Sequence, residues 1–218
     1  MEDKRTTEDM AGEITALKYQ KKNPDRVSVY LDGRFAFGLP AIVAARLKPG
    51  QVLSEAQVEA LQAEGNQEKE YNRTLDYLSY RPRSRREIEL YLQKRGAGQD
   101  QIEAIITRLE RAGLLDDQAF AQFWVENRER FRPRGLRALR YELRNKGVSD
   151  EIIDLALEGV DAPESAYRSA AKKVRQLRDR DRRTFYRKMI EFLSRRGFAY
   201  EVAREVADRY WSELEREE

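Results

Sequence analysis

The sequence predicts a mainly α-helical protein, a tandem array of three three-helix repeats preceded by a small α+β domain with a β-hairpin. Three observations carry this. The first is a construction that recurs in Ile88 to Gly96 (IELYLQKRG), Leu139 to Gly147 (LRYELRNKG) and Met189 to Gly197 (MIEFLSRRG). In each copy an apolar residue stands eight before the glycine and a leucine four before it, on one face of a helix that the glycine ends. The second is the spacing, since Gly96, Gly147 and Gly197 lie 51 and then 50 residues apart, a period that belongs to helical repeat arrays. The third is the alternating apolar pattern of Val27 to Leu31 and Phe35 to Leu39, joined by Asp32 and Gly33, the dipeptide that a two-residue hairpin prefers.

Taken in order, a frayed leader of about a dozen residues precedes a first strand over Ile14 to Gln20. The hairpin register sets Tyr30 against Phe35 and Val29 against Ala36, so both faces should be at least partly covered. Pro40 opens a short helical run through Arg46 that Lys48, Pro49 and Gly50 end. Ser54 with Gln57 forms a capping box for a helix to about Ala63, and Gly65 with Asn66 reads as a boundary. Residues 1–66 then form the small α+β domain.

Repeats follow over 67–116, 117–161 and 162–218. The first has a helix ending before Pro82, a second from Ser84 to Lys94 and a third capped by Asp100, with Ile102, Ile105, Ile106 and Leu109 as its buried stripe. In the second, Asp117 caps a helix to Phe131, Pro133 breaks it, the next helix reaches Lys146, and Ser149 caps a helix bearing Ile152, Ile153, Ala156 and Leu157. The third opens at Pro163 with a thinner stripe, Tyr167, Ala170, Ala171 and Val174, and ends on Val202, Val206, Tyr210 and Leu214. Fourteen residues before each glycine stand Pro82, Pro133 and Arg183, within RPRS, RPRG and RDRR. Proline fixes the bend between first and second helices and turns the flanking arginines outward at equivalent places.

Composition narrows the chemistry. With 218 residues and neither cysteine nor histidine, the chain lacks disulfides, the commonest zinc ligands and the usual serine-hydrolase base. A non-enzymatic protein without a cofactor is expected. No apolar run approaches a membrane span, and the start MEDKRTTED is not a secretion signal, so a cytoplasmic protein off the membrane is expected. The net charge of +3 hides an imbalance: residues 1–66 carry −1, 67–161 carry 0 and 162–218 carry +4. Arg128 to Lys146 holds eight basic residues against Glu129 and Glu142, and Arg168 to Lys188 holds ten against Asp179 and Asp181. Clustered arginine suits phosphate or an acidic protein surface; solvated helix faces are the plainer reading.

The sequence resembles the RecX family, bacterial regulators of the RecA recombinase. The resemblance rests on YLSYRPRSRREIELYLQKRG (Tyr77 to Gly96), LERAGLLDDQAFAQFWVENR (Leu109 to Arg128) and FRPRGLRALRYELRNKGVSDEIIDLAL (Phe131 to Leu157). It runs more loosely through the third repeat, where Arg183 replaces the proline. The resemblance implies a protein of DNA repair, homologous recombination and the SOS response. Such a protein binds the RecA nucleoprotein filament and single- and double-stranded DNA, and inhibits RecA ATPase, strand exchange and co-protease activity. A monomer is expected. A stand-alone DNA-binding helical-repeat protein is the alternative.

Charge and position, not a motif, nominate the binding residues. They are Arg81, Arg83, Arg85 and Arg86 in the first repeat, Arg132, Arg134, Arg137, Arg140 and Lys146 in the second, and Arg182, Arg183, Arg187, Lys188, Arg195 and Arg196 in the third. Tyr80 and Phe131 beside the bends are read as core residues, with stacking on a base or on a partner side chain as their other role. Trp124 is read as core. Gly96 and Gly98 lack the strand before and the lysine and serine after that a nucleotide loop needs. A metal site at Asp116 and Asp117 is the remaining enzymatic reading, and helix capping explains those residues more simply.

Overall fold

The computed structural model describes residues 11–217; most of the expected leader falls on residues 1–10, outside the described residues. Among the described residues, one compact unit comprises the chain up to Tyr80 with Gly98–Ile105, and the other comprises Arg81–Ala97 and the chain from Ile106 onward.

The first unit contains an antiparallel sheet of β1 (Gly12–Gln20), β2 (Asn23–Leu31), β3 (Arg34–Pro40) and β4 (Val52–Leu53), in the order β3-β2-β1-β4. The hairpin turn has Asp32 at φ 48° and Gly33 at φ 80°, the two left-handed residues that match the twist of the flanking strands. Leu31 pairs with Arg34 and Tyr30 with Phe35 as expected, but Val29 pairs with Phe37 rather than Ala36. A bulge at Ala36 accounts for this correction. It changes the phase of β3, so that Phe37 and Leu39 join Val27, Val29 and Leu31 on the buried face; an unbulged register would turn them the other way. On the second face Tyr30 is half-buried, in keeping with partial cover, while Phe35 is 52% exposed.

Helix α1 spans Ala41–Ala44, shorter than expected, and α2 spans Glu55–Ser79. Ser54 and Gln57 form the capping box, but the helix runs through Gly65 and Asn66 instead of ending near Ala63. Gly65 serves close packing: a Cβ there would lie 2.7 Å from Leu39 Cδ2.

The remaining helices are α3 (Arg85–Lys94), α4 (Gln99–Arg111), α5 (Asp117–Phe131), α6 (Leu136–Asn145), α7 (Asp150–Leu157), α8 (Ala162–Arg175), α9 (Arg182–Arg195) and α10 (Tyr200–Glu217). Ile102, Ile105, Ile106 and Leu109 of α4 are buried as expected, while Asp100 lies in its first turn rather than before it. On α8 the buried stripe is Ala166, Ser169, Ala170 and Val174; Ala171 is exposed, a correction that reflects the four-residue step from Ala166 to Ala170 to Val174.

Helices α3, α6 and α9 carry the recurring construction. Ile88, Leu92, Leu139, Leu143, Met189 and Leu193 are all fully buried. Gly96, Gly147 and Gly197 have φ of 81°, 81° and 85°, and the N–H after each donates to the carbonyl of Leu92, Leu143 or Leu193 at 3.2 Å. This is the left-handed glycine cap that closes a helix. Helix α9 is one turn longer than α3 and α6. Its cap is Asp181, so Arg182 and Arg183 lie inside its first turn and only Arg180 and Asp181 of RDRR lie in the connection before it. Phe185 stands where Ser84 and Gly135 cap α3 and α6, and it is fully buried. No described helix is long and apolar enough to cross a membrane.

Candidate functional site

In the second unit the middle helices meet end to end. Ser84 caps α3 by accepting from the Glu87 N–H at 3.2 Å, and its hydroxyl donates to the Lys146 carbonyl at the end of α6 at 2.7 Å. One repeat later, the N–H of Gly135, the cap of α6, donates to the Arg196 carbonyl at the end of α9 at 3.0 Å. Each contact sets a helix start on a helix end, which satisfies terminal groups and brings the positive end of one helix to the negative end of another. It also brings the arginines of one bend beside the basic residues that precede the next glycine.

At the first junction a carboxylate lies between the cations of the two repeats. Glu87 accepts from Arg81 at 2.8 and 3.2 Å and from Lys146 Nζ at 2.8 Å. Burial alone would raise its carboxyl, but hydrogen bonds from Arg81 and Lys146, and their charges, outweigh this and hold it at about 2. Arg85 pairs with Glu89 at 3.1 Å and Glu110 at 2.7 Å. Arg83 is half-buried, and Arg86 is exposed with its stem packed under Gly147.

The second junction differs because of two residues. Gly135 replaces Ser84, and Ala138 replaces Glu87. Arg196 Nη1 donates to Ser169 Oγ at 3.1 Å, and that hydroxyl lies 3.5 Å from the Pro133 carbonyl. The Arg196 guanidinium, 4.6 Å from the Phe192 ring, is thus held against the bend between Arg132 and Arg134. Burial, followed by the charges of Arg134 and Arg132, lowers the Arg196 pKa. Arg134 approaches Glu142 only at 4.0 Å, and Glu142 is already engaged by Trp124 at 2.9 Å and Arg128 at 2.7 Å. Among the described residues, no carboxylate lies within 4.0 Å of Arg132 or Arg196.

The other nominated residues divide the same way. Arg140 pairs with Asp154 at 2.6 Å and Arg187 with Glu191 at 3.4 Å, while Arg182 lies 5.4 Å from the centre of the Tyr186 ring. Among the described residues, Arg137, Arg183, Lys188 and Arg195 have no ion pair. Tyr80 is 82% and Phe131 65% exposed, which corrects their reading as core. Each ends a helix immediately before a proline bend, beyond the last turn that faces the interior. Trp124 packs against the second repeat's core as expected and presents a face to Arg128 at 4.6 Å.

Asp116 and Asp117 serve the starts of two helices. Asp116, not Asp117, caps α5, accepting from Gln118 at 2.7 Å and Ala119 at 3.2 Å. Asp117 accepts from the Arg85 N–H at the start of α3 at 2.8 Å. Asp116→Ala should therefore lower stability by about 1 kcal/mol in a urea titration; an unchanged midpoint would remove the capping assignment. The residue that sequence reasoning overlooked is Glu87. Its signal was present as Ser84-x-x-Glu87, a capping box, but nothing local placed Lys146 within its reach.

Fold and site define a class: a helical-repeat protein, sheet at its N-terminal end, with paired cations where repeats join. Family models agree segment by segment. Regulatory protein RecX N-terminal domain matches residues 12–54, and the first, second and third three-helix domains of RecX match 71–109, 116–157 and 161–215. Regulatory protein RecX of Bacillus subtilis is 33% identical over 201 residues, 89% of this chain and 76% of the relative. That of Listeria monocytogenes is 29% identical over 93% of this chain and 77% of the relative. A crystal structure of regulatory protein RecX superposes with a TM-score of 0.75 at 31% identity, over 91% of this chain and 100% of the other. RecX from Lactobacillus salivarius superposes at 0.58 and 28% identity, over 68% and 96%. The chain belongs to the RecX family of regulatory proteins.

Proposed function

We propose that this protein is a non-enzymatic cytoplasmic regulator that binds the RecA nucleoprotein filament and DNA as a monomer, and inhibits RecA ATPase, strand exchange and co-protease activity. Membership of the RecX family carries this reading. The cations at the second junction support it, because phosphate and acidic protein surfaces both require positive charge that the fold has not already neutralised. Inhibition needs no turnover; occupying the path of incoming DNA, or favouring loss of RecA protomers, suffices.

The test is a titration of the protein into RecA hydrolysing ATP on single-stranded DNA. Hydrolysis should fall at protein concentrations below that of RecA, and undiminished hydrolysis at equimolar protein would overturn the proposal. Replacing Arg132, Arg134 and Arg137 together with alanine should raise the concentration for half-inhibition about tenfold, the loss of one charge-assisted contact or more, with the helical circular dichroism unchanged. Inhibition at the original concentration would remove this surface from the interaction. A stand-alone DNA-binding protein would bind DNA yet leave RecA hydrolysis untouched.

A further inference from the structure

We infer that the second helix junction is a binding point for single-stranded nucleic acid, with one phosphodiester held by Arg132, Arg134 and Arg196 and the neighbouring base stacked on Phe131. The inference rests on the reading above in that it places DNA at a particular part of a RecA regulator.

The two junctions form an internal comparison. Arg81 and Arg132 stand at equivalent positions, as do Lys146 and Arg196, so both junctions bring together the cations of two repeats. In the first, Glu87 lies between them and accepts from both. In the second, the equivalent residue is Ala138, and the cations have no such counter-charge. The fold nonetheless fixes them: Ser169 and Phe192 hold the Arg196 guanidinium, and Gly135 ties the Arg132–Arg134 segment to the end of α9. Glu142, 4.0 Å from Arg134, is engaged more closely by Arg128 at 2.7 Å, and Glu129 pairs with Arg168 at 2.6 Å. Like charges held together in this way call for an external anion, and arginine's planar donors match phosphate oxygens.

Phe131 selects nucleic acid over an acidic protein surface. It directly precedes Arg132, is 65% exposed, and has the Arg130 guanidinium 5.2 Å from its ring centre. An aromatic ring beside a phosphate-binding cluster is the combination with which proteins hold single strands, since every base has a face to stack.

The experiment measures binding of fluorescein-labelled oligo(dT) to the full-length protein, without RecA, across a salt series. Arg132→Gln with Arg134→Gln should weaken binding at least tenfold and reduce the salt slope by roughly 1.4, two contacts at about 0.7 each. Phe131→Ala should weaken it about fivefold or more with the slope unchanged. Ala138→Glu, which restores the first junction's carboxylate, should mimic the double variant; melting curves verify that it folds. Arg144→Gln, which removes a charge already paired to Asp150, should bind like the wild type.

Wild-type affinity in the arginine double variant would overturn the inference, as would an equal loss in Arg144→Gln. A double variant that keeps oligo(dT) affinity but loses RecA inhibition would assign these cations to an acidic protein surface instead. Conversely, loss of oligo(dT) binding in the variants of a protein that never affects RecA would sustain this site and sink the regulatory reading.

Discussion

Gly135→Ala should lower the stability of the second unit by about 3 kcal/mol, seen as a fall of roughly 6–12 °C in the melting temperature. The reason is steric and lies in backbone atoms. A Cβ at this position would lie 2.1 Å from the Gly197 carbonyl oxygen and 2.3 Å from the Phe198 nitrogen, and no change of rotamer relieves a clash with main chain. Helix α6 would have to withdraw from the end of α9, breaking the hydrogen bond from Gly135 to Arg196. Two other glycines calibrate the effect. Gly96→Ala meets open space but must hold φ 81°, a conformation that costs a side-chain-bearing residue about 1–2 kcal/mol. Gly159→Ala has neither obstacle and should be close to neutral. Should Gly135→Ala melt like Gly159→Ala, the end-to-end contact between α6 and α9 does not form as described.

Glu87→Gln should remove about 2 kcal/mol at neutral pH by leaving Arg81 and Lys146 without a counter-charge. The Glu87 side chain is only 13% exposed, whereas Arg81 and Lys146 are 32% and 27% exposed, so solvent keeps the loss below that of a fully buried pair. The same residue sets an acid limb. Its folded pKa, about 2, lies below the ordinary 4.5. The unfolded chain therefore takes up the proton first, and the stabilisation present above pH 4.5 is lost as pH falls toward 2. Denaturant titrations from pH 6 to 2 should show the wild type losing about 2 kcal/mol more than Glu87→Gln over that window. Parallel curves would mean that Glu87 does not bridge the two repeats.

Local chemistry was legible in the sequence wherever a few neighbouring residues decide an outcome. Ser54 with Gln57 and Ser149 cap helices as read, Asp32 and Gly33 make the hairpin turn, and three glycines end three helices at a spacing that reveals the repeat. Interactions within four or five residues fix each of these, so the chain carries them in plain order. The register of β3 and the length of α2 were decided elsewhere. The bulge at Ala36 forms because five apolar side chains on two strands share one buried face, and α2 continues through Gly65 because Leu39, 26 residues earlier, packs where a side chain would be.

The site shows the same division more sharply. Composition placed arginine in clusters and could nominate fifteen cations, but it could not say which of them the fold had already neutralised. That distinction depends on Lys146 lying within 2.8 Å of Glu87, 59 residues away, and on Arg196 reaching Ser169, 27 residues away. Charge is a property of a residue, whereas an unpaired charge is a property of its surroundings. The sequence by itself determined the recurring helices, the glycines that end them and the number of repeats; only tertiary structure decided which arginines remain available, because their counter-charges come from elements far apart along the chain.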